Sequence, residues 1–244
     1  MGVPSRFPFG ITNVTPSEPF GMSGLPDPTT YITYLDEFTK YTAGDWTSTT
    51  VGTTPTAALV NGDGGLLALT TMGSASSSIF LQPKTEFVLP VTGRKLFFKS
   101  RFKVSSLTGS NWIMGLTVTD TTPIGSGGTG VTDGMFWQSE AGTIKFYCQK
   151  DASTGQTSTG TTTVATMADD TLTELAFFWD GVQSIKLYQN GVQTATLDLG
   201  SAPASYLPDT TLTLQFGVQN TASTARVMTL DYVMSQHQRY NRVG

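Results

Sequence analysis

The sequence predicts an all-β protein: two antiparallel sheets packed face to face as a β-sandwich of the jelly-roll kind, behind an extended N-terminal arm. Three observations lead there. Short runs with period-2 alternation follow one another along the chain, each closed by Gly, Asn, Asp or Pro. Blocks of helix-forming Ala, Glu, Lys and Leu are missing. Charged residues are only 13% of the 244, about half the usual share of roughly 25%, and Thr, Ser, Gly and Gln take their place. Thr and Val suit a pleated surface, while Gly and Pro punctuate it.

The arm comes first. Residues 1–30, MGVPSRFPFGITNVTPSEPFGMSGLPDPTT, hold six of the twelve prolines. Proline removes backbone donors and holds the chain extended, which excludes a helix or central strand here. Phe7, Phe9, Ile11, Val14 and Phe20 make the segment too apolar for a solvated linker. It is suited either to gripping another surface or to wrapping its own domain.

Residues 31–244 form one sandwich domain on this reading. YITYLDEF opens it, followed by LLALTT (66–71), SSIFLQ (77–82), KLFFKSRFKV (95–104), NWIMGLTVTD (111–120), GMFWQSE (134–140) and TIKFYCQK (143–150). TLTELAFFWD, QSIKLYQNG, VQTATLDL, TLTLQFGVQN and RVMTLDYVMSQHQR complete about eleven or twelve strands. In KLFFKSRFKV, Leu96, Phe98, Ser100, Phe102 and Val104 share one face. Lys99, Arg101 and Lys103 lie on the other, which is expected to be solvated. Segments 44–56, 122–134 and 151–163 are rich in Gly, Ser and Thr and are expected to be exposed, mobile loops.

Charge and cysteine content exclude several functions. The net charge of −4 and the lack of clustered Lys and Arg argue against nucleic-acid binding. No apolar run reaches the length of a membrane span, and the N-terminal residues lack signal-peptide character. The single cysteine, Cys148, has no intrachain partner and sits among apolar neighbours, as a small core residue would. Folding in a reducing cytosol is the expectation.

The stretch ELAFFWDGVQSIKLYQNGVQTATL (174–197) poses the question of catalysis. Asp180, beside Trp179, is either an acid at a cleft or the corner of a turn. Asp180-Gly181 and Asn190-Gly191 are pairs favoured where both central turn residues need positive φ, so a turn accounts for both. A glycosidase also needs a second carboxylate about 5–10 Å away. FFWDGVQSIKLYQNGVQ, with VMTLDYVMSQHQR, resembles the late hairpin and closing strand of laminin-G-like and concanavalin A-like jelly rolls over roughly residues 170–239. Glycoside hydrolases of that fold carry alternating acids in the manner of E-x-D-x-x-E. Asp36-Glu37, Asp169-Asp170 and the isolated Glu86, Glu140 and Glu174 form no such run, so no enzyme and no catalytic residue is expected. His237, the lone histidine, supports neither a Ser/His/Asp triad nor a zinc site. NGDGG (61–65) and Asp133 could offer oxygens to calcium, but the spacing is that of a turn, and neither metal nor cofactor is expected.

A second resemblance runs through most of the chain. SRFPFGITNV, DEFTKYTAGDWT, GDGGLLALT, FKSRFKVSS, WIMGLTVTDTTPI and DYVMSQHQR together are similar to a family of tailed-bacteriophage virion proteins that decorate or cement the capsid. It implies a structural protein on the virion surface, assembled in the host cytoplasm, bound outside the major capsid protein shell as a homo-oligomer (dimer or trimer). Phe7, Pro8, Phe9, Ile11 and Phe20 are then the partner-binding residues, because buried aromatics dominate interface energies. The alternative is a carbohydrate-binding module on a head or fibre surface. There Trp112, Trp137 and the Gly/Ser/Thr loops would stack on a glycan, although alternation places Trp112 in the core and leaves Trp137 open.

Overall fold

A computed structural model describes residues 30–125, 128–151, 158–162 and 164–239. Phe7, Pro8, Phe9, Ile11 and Phe20 lie outside the described residues.

Every long apolar alternation in the sequence becomes a strand. In chain order the first are β1 (Tyr31–Asp36), β2 (Trp46–Val51), β3 (Thr56–Val60), β4 (Leu66–Thr70), β5 (Ser78–Pro83) and β6 (Leu96–Val104). The middle of the chain gives β7 (Ser110–Thr117), β8 (Ile124–Gly125), β9 (Gly128–Thr129), β10 (Gly134–Glu140), β11 (Thr143–Gln149) and β12 (Ser158–Thr162). The last are β13 (Thr173–Trp179), β14 (Ser184–Gln189), β15 (Val192–Asp198), β16 (Thr213–Asn220) and β17 (Val227–Gln238). Two single 3-10 turns, Ala43–Asp45 and Pro203–Ser205, are the helical pieces among the described residues.

The strands form two large sheets and one small hairpin, β8–β9. The larger sheet runs β15-β14-β13-β6-β17-β4-β3, with β1 added on β17. The smaller runs β12-β11-β10-β7-β16-β5-β2. All pairings between named strands are antiparallel. The predicted fold class, an all-β antiparallel sandwich, is the one observed.

The core lies between the large sheets. Along β6, Leu96, Phe98, Ser100, Phe102 and Val104 are buried and the alternate residues are not. Phe102 meets Trp112 edge-on at 5.1 Å, and Phe146 meets Phe177 at 5.1 Å. These contacts join β6 to β7 and β11 to β13, one partner in each sheet. Each buried ring contributes roughly 1.5–3 kcal/mol relative to exposure. Cys148 is buried in this layer, and burial pushes its thiol well above the ordinary range.

Three expectations are corrected, all on the Gly/Ser/Thr segments. Residues 44–56 contain β2 and the start of β3, and 151–163 contains β12. These strands lie at sheet edges, where backbone pairing to one neighbour is enough and apolar alternation is not required. Seventeen strands among the described residues therefore exceed the dozen read from alternation. Segment 122–134 is not a free loop either: Ile124 and Val131 are buried.

Candidate functional site

Asp180 is a corner. Its Oδ1 accepts the N–H groups of Val182, Gln183 and Ser184 at 2.7, 2.9 and 3.1 Å. Partial burial works to raise its carboxyl, but the three N–H bonds outweigh it and hold the group below the usual carboxylate range. The turn differs in detail from the expectation. Asn190 and Gly191 both take positive φ (50° and 77°), whereas at 180–181 only Gly181 does (85°). The side chain of Asp180 caps a wider turn, closed by its own N–H on the Ser184 carbonyl.

The alternating cations of β6 meet acids from both sides. Lys99 Nζ lies 2.8 Å from Glu174, Arg101 Nη1 lies 2.9 Å from Asp231, and Lys103 Nζ lies 2.7 Å from Asp170. Glu174 also accepts the Tyr232 hydroxyl at 2.6 Å. Burial works to raise Glu174, but the Lys99 and Tyr232 bonds and the nearby positive charges leave its carboxyl below the usual range. Glu174, isolated in the sequence, and Asp170 of the Asp169-Asp170 pair are thus structural partners of the basic row.

The middle of the outer face of the smaller sheet is covered by the chain itself. Phe80, Ile113 and Phe136 point away from the main core and are covered by Ile124 and Val131 of the 118–133 segment. Glutamines pin that segment down. Gln82 donates to the Val118 carbonyl at 3.1 Å and accepts the Asp120 N–H at 3.1 Å. Gln215 accepts from Thr117 and donates to the Asp120 carbonyl, and Gln149 donates to the Val131 carbonyl. Ring packing reaches the backbone as well: a Cβ on Gly217 would lie 2.3 Å from the Ile79 carbonyl and 2.5 Å from the Phe80 ring.

A cleft of about 630 Å³ lies between β1 and the 83–87 segment. Tyr34 stacks on Phe87 at 5.4 Å, and Asp36, Lys40, Asp45 and Lys84 supply its charged lining. Asp36 is already engaged, accepting the Phe38 N–H at 2.8 Å and the Tyr34 hydroxyl at 3.5 Å. Burial first, and then the Asp36 and Asp45 carboxylates, push the Tyr34 phenol well above its ordinary range. Sequence reading missed this site, because its residues carry no motif and join only when β1, the 40–46 corner and the end of β5 converge.

Comparison with known families matches residues 95–235, from the edge of β6 into β17, to the concanavalin A-like lectin/glucanases superfamily. The chain belongs to that superfamily. No curated protein matches it by sequence. Among solved structures it is similar to a protein of unknown function from Shewanella oneidensis MR-1, with TM-score 0.58 and 17% identity over 92% of this chain and 95% of that one. It is similar to SCLam, a non-specific endo-β-1,3(4)-glucanase of family GH16, with TM-score 0.59 and 16% identity over 86% and 92%. The Emp47p carbohydrate recognition domain gives TM-score 0.58 and 12% identity over 88% and 99%. At these identities the likeness is one of fold.

Within this lectin/glucanase sandwich the other residues singled out from sequence have structural places. Trp112 and Trp137 are both fully buried, so neither forms a glycan-stacking platform; Trp137 packs edge-on against Phe146 at 5.2 Å. His237 lies in β17 opposite Ile32 and Leu96. Burial, with Arg239 and Arg94 nearby, holds its imidazole below the usual range. Asp133 joins Asp151 and Asp209, their ligand oxygens within 4.8 Å of one another. Burial raises the Asp133 carboxyl, and Lys150 binds Asp209 at 2.8 Å. Three carboxylates with a built-in ammonium fall short of the six to eight oxygens calcium takes. Asp63 of NGDGG is not part of this group.

Proposed function

We propose that this chain is a structural virion protein that decorates a tailed-bacteriophage capsid, binding outside the major capsid protein shell and stabilising it without catalysis. The observation that carries the reading is how the chain spends its reactive groups. Glu174, Asp231 and Asp170 hold a basic row, Asp180 folds a turn, and both sequence-flagged tryptophans fill the core. The middle of the smaller sheet's outer face is packed with the chain's own loop. What remains for a partner is surface, edge and arm. The arm is the gripping element, through Phe7, Pro8, Phe9, Ile11 and Phe20. A protein that binds only the assembled shell stabilises it by linkage, by about 2.7 kcal/mol per site at a free concentration of 100 times Kd.

Two measurements test this. A mass-spectrometric census of purified virions is expected to find the chain in many copies, and its absence would sink the reading. Undecorated heads incubated with the full chain and with a chain lacking residues 1–25 are expected to retain only the former. Equal occupancy would remove the arm from its role.

The second reading, a glycan-binding module on a head or fibre, is favoured by the Tyr34–Phe87 cleft, where stacked rings stand beside carboxylates and ammonium groups. Saturable binding on a glycan array that Tyr34→Ala abolishes would promote it over capsid decoration.

A further inference from the structure

Among the described residues, the edge strand β1 has one side paired and one side open. Arg239 N–H bonds the Thr30 carbonyl at 2.7 Å, and the register continues Ile32–His237, Tyr34–Ser235 and Asp36–Val233. Antiparallel pairs alternate between hydrogen-bonded and non-bonded. Thr30, Ile32, Tyr34 and Asp36 therefore spend their backbone groups on β17. The N–H and C=O groups of Tyr31, Thr33 and Leu35 point the other way, and β1 pairs with no strand but β17 among the described residues.

Natural proteins guard such an edge with lysine, proline or a bulge, because it templates pairing with another chain. β1 has none of these. Its outward residues Tyr31, Thr33 and Leu35 are uncharged, and Leu35 is 48% exposed. The adjoining cleft, about 630 Å³, takes Tyr34 and Asp36 of β1 into its wall. A strand added here would gain main-chain bonds from the edge and a place for alternate side chains in the cleft, the mode by which extended peptides augment sheets.

The chain carries a matching segment. Between Pro8 and Pro16 lies FGITNVT (9–15), the longest run free of both proline and charge in the first 29 residues. Its alternation puts Phe9, Ile11 and Asn13 on one face and Gly10, Thr12 and Val14 on the other. We propose that residues 9–15 of one copy add as a strand to the open edge of β1 in a neighbouring copy, linking subunits arm to edge. The connector decides between a neighbour and the same chain. Residues 16–29 include Pro16, Pro19, Pro26 and Pro28, which favour an extended path of about 3.1 Å per residue, roughly 43 Å in all. That exceeds a domain radius of gyration of about 17 Å, so an extended connector carries residues 9–15 out to a neighbour sooner than back onto their own β1.

The test uses purified full-length protein without heads, so its outcome is separate from that of capsid binding. Copies carrying Val14→Cys or Thr12→Cys are mixed with copies carrying Thr33→Cys and oxidised; the native thiol, Cys148, is buried. A disulfide between two chains is expected. A link formed only inside a doubly substituted chain overturns the exchange, and no link at all overturns the seat. In sedimentation, Thr33→Pro removes an N–H of the open side without breaking a β17 bond, and is expected to cut the oligomer fraction at least tenfold. Leu35→Lys, which guards the edge by charge, gives the same comparison if the proline variant fails to fold. An oligomer fraction unchanged in the folded variant, or a wild-type chain that is monomeric at high concentration, overturns the proposal.

Discussion

Glu174 and Lys99, 75 residues apart in the chain, lie 2.8 Å apart on neighbouring strands of the larger sheet. The Tyr232 hydroxyl closes on the same carboxylate at 2.6 Å from β17. One acid thus ties β13, β6 and β17 together. Its carboxyl is held below the usual range, so its stabilising contribution is complete above the unfolded value of about 4.3 and fades as the pH falls through the folded value. Glu174→Gln is expected to cost about 1 kcal/mol at pH 7. The urea midpoints of the two proteins should converge below about pH 4. A gap that stays constant down to pH 3 would rule out the ion pair as its source.

Asp180 predicts a purely structural phenotype. Asp180→Ala leaves three turn N–H groups without their acceptor and should cost about 1–2 kcal/mol in urea unfolding. Asp180→Asn, which keeps an acceptor oxygen, should cost less. Equal losses for the two would mean that charge, not acceptor geometry, governs the turn.

The covering of the smaller sheet depends on its glutamines. Gln82→Leu strands the Asp120 N–H and the Val118 carbonyl, and is expected to destabilise the 118–133 segment by about 1–3 kcal/mol. Hydrogen exchange should accelerate at Asp120 while the amides of β7 stay protected. Unchanged exchange at Asp120 would show that Ile124 and Val131 hold the segment by packing alone.

Cys148 predicts a silent thiol. The folded protein should not react with a thiol reagent at pH 8, because burial keeps the group protonated and out of reach. Denaturant should release one reactive thiol per chain. Rapid labelling of the folded chain would contradict the packing between β11 and the opposing sheet.

Much of this was legible in the residues. The alternation of β6, β10, β11 and β13 marked strands, Asn190-Gly191 marked a two-residue turn, and the surroundings of Cys148 and Trp112 marked core. The candidate cleft was not legible. Tyr34 and Asp36 sit in β1, Asp45 in the 43–45 turn and Phe87 in the loop after β5, and nothing in their spacing announces that they meet. The edge strands β2 and β12 escaped notice because their Thr, Ser and Gly residues carry little or no apolar alternation, and β3, TAALV, because its short apolar run does not alternate.

By itself the sequence determined the class of fold, because period-2 burial is a local property readable from residue i to i+2. Only the tertiary structure decided which acid meets which cation, that Trp137 is core, that the 118–133 segment lies down on a sheet, and which side of β1 is open. Those outcomes depend on register between residues far apart in the chain, such as Arg101 and Asp231 or Tyr31 and Gln238, and a linear pattern carries no measure of register.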